Sequence, residues 1–156
     1  MKEIERKFLV NSLIGDVLEK NEFKVIRQGY ITKENGATVR VRIKGMRGFL
    51  TIKGRTTGIT RSEFEYEIPY DDAVEMMDEF CPVIITKKRY LVQHDHLIWE
   101  VDVFSGKLNG LIIAEIELQN ENEEISLPEW ADREVTQDHS YSNSELAKKL
   151  EKDSVL

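Results

Sequence analysis

The sequence predicts an α+β, β-dominated fold with about eight antiparallel strands and a few peripheral helices. Apolar and charged residues alternate with period two in eight segments, turn-forming clusters join them, and only three segments carry a helical period. The first strand, 2–10, places Glu3, Glu5 and Lys7 on one face and Ile4, Phe8 and Val10, with Arg6, on the other. Segment 23–32 carries Gln28 and Tyr30 together, and 38–44 sets Arg40, Arg42 and Lys44 against Val39, Val41 and Ile43. In 49–53 Thr51 and Lys53 oppose Leu50 and Ile52, and in 62–68 Glu63, Glu65 and Glu67 oppose Phe64, Tyr66 and Ile68. Segment 83–92 pairs Lys87 with Arg89, 97–104 pairs Glu100 with Asp102, and 111–119 pairs Glu115 with Glu117. The joints at 33–36, 45–48, 54–58, 94–96 and 105–110 read as hairpin turns.

Three helices complete the reading. Segment 12–20 is short and interrupted by Gly15. Asp71 or Asp72 caps a helix whose Ala73, Met76, Met77 and Phe80 follow i, i+3, i+4, i+7 spacing. Ser142 or Asn143 caps the last one, which runs through Leu146, Ala147 and Leu150. All three are expected to cover apolar surface on the outside of a sheet.

A chain of 156 residues with three prolines and no Ser/Gly-rich linker is expected to form a single domain over 1–156, burying roughly two-thirds of its unfolded surface. Its net charge of −7 argues against wrapping nucleic acid, which needs a basic face. No apolar run reaches the ~18 residues of a membrane span, and the N-terminus opens on Lys2, Glu3, Glu5, Arg6 and Lys7 where a signal peptide needs an apolar stretch. The lone Cys81 cannot form an internal disulfide, so a reducing, cytoplasmic location is expected, with the protein a monomer or homodimer.

The charged faces carry the chemistry. Within strands, neighbours at i and i+2 repeatedly bear the same sign: Glu3/Glu5, Glu63/Glu65, Glu100/Asp102 and Glu115/Glu117 are acidic, Arg40/Arg42 and Lys87/Arg89 basic. Like charges at that spacing repel, so a face built this way calls for ligands of both signs. Carboxylates suit hard divalent cations such as Mg²⁺ or Mn²⁺, and Arg and Lys suit phosphate oxygens. Acid and base on one wall therefore suggest a polyphosphate chelated to metal. The alternation alone leaves two architectures open: a barrel with the charged face inward, or a half-exposed sheet with that face solvated.

The E-x-E-x-K run Glu3-Ile4-Glu5-Arg6-Lys7 resembles the signature of the CYTH superfamily, the triphosphate tunnel metalloenzymes. Arg40-Val41-Arg42, Thr51-Ile52-Lys53, Glu63-Phe64-Glu65, Lys87-Lys88-Arg89, Glu100-Val101-Asp102 and Glu115-Ile116-Glu117 follow in the family's order, covering nearly the whole chain. The segments Arg27-Gln28-Gly29-Tyr30 and Trp99-Glu100-Val101-Asp102-Val103-Phe104 look most like the small bacterial inorganic triphosphatases. The resemblance implies an eight-stranded closed antiparallel β-barrel, a tunnel that takes a linear triphosphate and hydrolyses a phosphoanhydride with Mg²⁺ or Mn²⁺. By position, Glu3, Glu5, Glu115 and Glu117 resemble ligands of the metal on the triphosphate. Arg40, Arg42, Lys53, Lys87 and Arg89, with Lys7, resemble the phosphate clamp. Glu63, Glu65 and Asp102 resemble a second acidic cluster that holds another metal or orients water. Tyr30, Lys7, Lys53 and Lys87 are candidates for proton transfer.

The same superfamily contains class IV adenylate cyclases and thiamine triphosphatases. A non-catalytic polyphosphate or polyanion sensor is the reading from outside enzymology, and retention of both acidic clusters and the clamp lysines argues against it. Where relatives tend to be basic before the last helix, this chain reads Asp138-His139-Ser140-Tyr141-Ser142-Asn143, with only a titratable His139 near a tunnel mouth. His94 and His96 are expected to be solvated turn residues, Cys81 a packing residue, and Trp99 and Trp130 core. No G-x-x-x-x-G-K-[ST] loop is present, which excludes P-loop nucleotide binding.

Overall fold

The computed structural model describes residues 1–33 and 36–154. Its strands are β1 (Lys2–Val10), β2 (Phe23–Thr32), β3 (Thr38–Lys44), β4 (Arg47–Lys53), β5 (Thr60–Ile68), β6 (Ile84–His94), β7 (Leu97–Phe104), β8 (Ile112–Glu117) and β9 (Ala131–Glu134). The α-helices are α1 (Ile14–Glu19), α2 (Tyr70–Phe80) and α3 (Asn143–Ser154). The first eight strands close in the order β1-β5-β4-β3-β2-β6-β7-β8 and back to β1, every pairing antiparallel. Closure removes the open-sheet alternative and directs the charged faces inward.

The barrel closes at a short seam. Only Lys2, Glu3 and Ile4 of β1 pair with β5, through Ser62, Arg61 and Thr60. Further along the same edge β9 pairs with Phe8 and Val10. This ninth strand is absent from the sequence reading, because Ala131-Asp132-Arg133-Glu134 carries no apolar alternation; the edge that β5 leaves free supplies its partner. The β3–β4 turn, Gly45-Met46, has Gly45 at φ 61°, the left-handed value a two-residue hairpin needs at its first central position. The expected joint at 33–36 lies partly outside the described residues.

Outward-facing apolar residues build two cores on the barrel's outside. Phe8, Trp99, Val101, Ala114, Ile116 and Trp130 pack together with Ile14 of α1, the two indoles meeting edge to face at 5.4 Å. Val41 and Ile43 pack against Ala73 and Met77 of α2. The third core corrects an expectation. Leu146, Ala147 and Leu150 of α3 pack on Tyr30, Ile85, Phe104 and Ile113, whose strand registers place them on the same face as Gln28, Lys87 and Asp102. Helix α3 therefore stoppers one end of the barrel instead of lying on its outer wall, and the bore is blind there.

Helix α2 sits close because Gly48 has no side chain. A Cβ at that position would meet the Ala73 Cβ at 2.8 Å and the Ile68 carbonyl oxygen at 3.1 Å. Gly48→Ala is expected to lower stability by about 1–3 kcal/mol in urea denaturation. Gly15→Ala, which meets nothing within 4 Å inside α1, is expected to raise it by about 0.5–1 kcal/mol.

Candidate active site

The bore contains a cavity of about 230 Å³. A water occupies about 30 Å³ of liquid, so this space takes a multi-atom ligand rather than a lone ion. Twelve of the sequence-predicted residues line it: Glu3, Glu5, Lys7, Tyr30, Arg40, Arg42, Lys53, Glu63, Glu65, Arg89, Glu115 and Glu117. The remaining two, Lys87 and Asp102, lie beneath it against the apolar stopper, 0% and 1% exposed. Period two assigns a residue to a face but not to a depth along the bore, so the sequence could not separate these two from the others.

Each strand contributes at its own rung. Antiparallel register sets Tyr30, Arg40, Thr51 and Glu65 side by side across β2, β3, β4 and β5. On the other wall Arg89 faces Asp102, and Lys7 faces Glu115. Basic residues of one strand thereby meet acids of the next. Lys53 Nζ lies 3.0 Å from Glu3 and 3.1 Å from Glu63, and Arg40 Nη2 lies 3.4 Å from Glu65 and donates to Thr51. Lys7 Nζ stands 3.5 Å from Glu5 and 3.8 Å from Glu115.

The deepest cluster is Lys87, Asp102 and Arg89. Arg89 grips Asp102 with two parallel bonds of 2.7 and 2.8 Å, and Lys87 Nζ reaches the same carboxylate at 2.7 Å while lying over the Phe104 ring. Against the penalty of burial, the two cations hold the Asp102 carboxyl well below the usual range. Both Asp102 oxygens are thus engaged by cations, which separates it from Glu63 and Glu65, the residues with which the sequence grouped it. Complete burial, together with Arg89 and Arg42, pushes Lys87 down to about 7 against the pull of Asp102.

The acidic wall is crowded. Glu5 stands directly opposite Glu117, and Glu100 opposite Glu115, which places like charges in register. Burial and the neighbouring Glu115 raise Glu5 to about 7, whereas Glu115 is held down, despite its burial, by Lys7, Arg89 and Lys87. Among the described residues no three His, Cys, Asp or Glu side chains are gathered closely enough to hold a metal ion. The donor chemistry nevertheless fits a hard divalent cation: every donor is a carboxylate, like charges face one another, and burial beside Glu115 drives one carboxyl, Glu5, toward neutrality despite Lys7.

Several lumen residues are given no site role by the sequence. Gln28 and Thr51 are 0% exposed within the wall, and Asn143 reaches in from the start of α3. Lys44, Arg61 and Glu100 also line the cavity, and their place on the charged faces was the available signal. A second opening beside the seam is lined by Arg55, Arg61 and His139 together with Glu3, Glu5 and Lys7, so His139 does stand at a mouth. His94 ends β6 near Ser126 and His96 lies in the β6–β7 turn, while Cys81 caps the end of α2 with its thiol pushed up by burial.

A curated inorganic triphosphatase of Acetivibrio thermocellus is 47% identical over 149 residues, covering 94% of each chain. One from Nitrosomonas europaea is 34% identical, covering 94% of this chain and 97% of its own. A solved inorganic triphosphatase structure superposes with a TM-score of 0.65 at 29% identity, covering 93% of both chains. The CYTH domain family model matches residues 1–152, the stretch that builds the barrel, its lumen and its stopper, and the chain belongs to the CYTH domain family.

Proposed function

We propose that this protein is a divalent-metal-dependent hydrolase of inorganic triphosphate. The observation that carries the reading is a bore closed at one end, with a cavity of about 230 Å³ whose wall carries Arg40, Arg42, Lys53 and Arg89 together with a crowded row of carboxylates. The names of the two curated relatives support the same substrate.

In this reading Arg40, Arg42, Lys53, Arg89 and Lys7 hold the phosphate oxygens, and Lys87 acts on them from below. Glu3, Glu5, Glu115 and Glu117 would hold Mg²⁺ or Mn²⁺, with Glu63 and Glu65 as a second acidic group across the bore. The metal supplies Lewis-acid stabilisation of the phosphate charge. Asp102 anchors Lys87 and Arg89 so that their nitrogens are already placed when the substrate arrives. Substrate entry exchanges internal ion pairs for phosphate contacts, so catalysis rests on positioning and electrostatic stabilisation of the transferred group. Lys87, pushed down to about 7, is suited to give up a proton to the departing phosphate oxygen, with Tyr30, Lys7 and Lys53 as the other candidates. A cytoplasmic monomer or homodimer without nucleic-acid or membrane partners completes the proposal. Among the described residues, no helix is long and apolar enough to cross a membrane.

The test incubates the protein with Mg²⁺ or Mn²⁺ and tripolyphosphate, ATP or thiamine triphosphate, and measures phosphate and cyclic AMP. Phosphate released mainly from tripolyphosphate is the expected result. Cyclic AMP from ATP would assign a cyclase instead, and stabilisation by tripolyphosphate without turnover would assign a sensor.

A further inference from the structure

Among the clamp cations Arg42 differs from the rest. Lys7, Arg40, Lys53, Lys87 and Arg89 each have a carboxylate oxygen 2.7–3.5 Å away. Among the described residues no carboxylate lies that close to Arg42. Its Nε and Nη2 instead donate to one neutral oxygen, Gln28 Oε1, at 2.9 and 2.7 Å. Gln28 is fully buried and stands directly opposite Arg42 in the β2–β3 register.

The polarity of the Gln28 amide is set from both ends. Arg42 only donates, so the amide oxygen must face it. At the other end Gln28 Nε2 donates to Asn143 Oδ1 at 3.1 Å, and Lys87 Nζ donates to that same oxygen at 3.2 Å. A flipped Asn143 would set its NH₂ against the Gln28 NH₂, so the chain Arg42-Gln28-Asn143-Lys87 has one self-consistent arrangement. It continues through Asp102 to Arg89. Because Asn143 opens α3, the seating of that helix on the apolar stopper helps to fix where the guanidinium sits.

We propose that Gln28 is a positioning residue for Arg42, a neutral hydrogen-bond acceptor that aims the guanidinium into the bore without cancelling its charge. A carboxylate at the same place would grip Arg42 as Asp102 grips Arg89 and make it compete with the incoming anion. The neutral amide leaves Arg42 as an uncompensated cation to which an oligophosphate can dock without breaking an ion pair. Burial in the wall, with the like-charged Arg40 and Arg89 beside it, pushes Arg42 down to about 9, so it stays protonated at neutral pH.

This inference rests on the triphosphate reading for its substrate, and its test separates the two. Tripolyphosphate is added to wild type, Gln28→Glu, Gln28→Met and Arg42→Ala in the presence of EDTA, and the rise in Tm is measured. Steady-state hydrolysis with Mg²⁺ or Mn²⁺ then gives kcat and KM. Gln28→Glu, isosteric and folded through its new ion pair to Arg42, is expected to lose most of the tripolyphosphate-induced rise in Tm and to raise KM roughly ten-fold or more, the scale of one charge-assisted hydrogen bond, with the smaller change in kcat. Gln28→Met releases Arg42 without adding a charge and is expected to raise KM less than Gln28→Glu does. Wild-type KM and a wild-type rise in Tm in Gln28→Glu would overturn the proposal. Should that variant not fold, Gln28→Met with an unchanged KM would do the same. A wild type that tripolyphosphate stabilises but that hydrolyses none overturns the enzymatic reading alone, and the positioning claim is then decided by the Tm comparison.

Discussion

Asp102→Ala is expected to cost about 3–5 kcal/mol of folding stability, because it leaves Arg89 a buried cation without its two-pronged carboxylate and strips Lys87 of the anion that holds its proton. Lys87 has no exposed surface, and only Asn143 and the Phe104 ring would remain to it. Arg89 would keep Glu100. Urea denaturation at neutral pH measures the loss, and tripolyphosphate should restore part of it by bringing negative charge to the same nitrogens. The pH dependence has a definite sign. The folded-state pKa of Asp102 is depressed, so its contribution is complete above the ordinary value of 3.8 and is lost only as pH falls below it toward the folded value. A loss under about 1 kcal/mol would mean that solvent screens the cluster as it screens a surface pair.

Glu5→Gln is expected to abolish most hydrolysis, at least about a hundred-fold in kcat, while leaving the fold intact. The carboxylate faces Glu117 in register and neighbours Glu115, so its removal relieves like-charge crowding and Tm should hold or rise. Lys87→Ala is expected to lose turnover similarly, with Asp102 still held by Arg89. The divergence between activity and stability is the diagnostic, measured by phosphate release alongside thermal unfolding. Retained activity in both variants would reject the assignment of the site.

Much of this was legible from alternation alone. The eight barrel strands, the residues that share each charged face and the placing of Trp99 with the apolar ones follow from which side chains alternate; that the charged face points inward did not, and came from the family resemblance. What period two does not encode is depth and partner. It could not tell that Lys87 and Asp102 lie below the cavity, or that Tyr30, Ile85, Phe104 and Ile113 fill one end of the same face. Amphipathic spacing in α3 showed that Leu146, Ala147 and Leu150 are buried, yet a stripe of that kind fits a barrel end as well as an outer wall. Gln28 went unassigned because a neutral amide leaves no mark in a charge pattern; its role depends on Arg42 and Asn143, 14 and 115 residues away. Closure itself rests on three residue pairs at the β1–β5 seam, contacts between segments some sixty residues apart. The segregation of charge by strand turned out to serve two ends, since the clamp cations other than Arg42 pair with acids and, in the proposed function, exchange those partners for phosphate.

The most direct test of the account is a crystal structure with tripolyphosphate and Mn²⁺ bound, the cation located by its anomalous signal. The account predicts the phosphate chain inside the barrel, its oxygens against Arg40, Arg42 and Arg89, with manganese between the chain and the carboxylates of Glu5 and its neighbours on β1 and β8. Phosphate and manganese found only outside the barrel, with the internal ion pairs of the bore undisturbed, would contradict it.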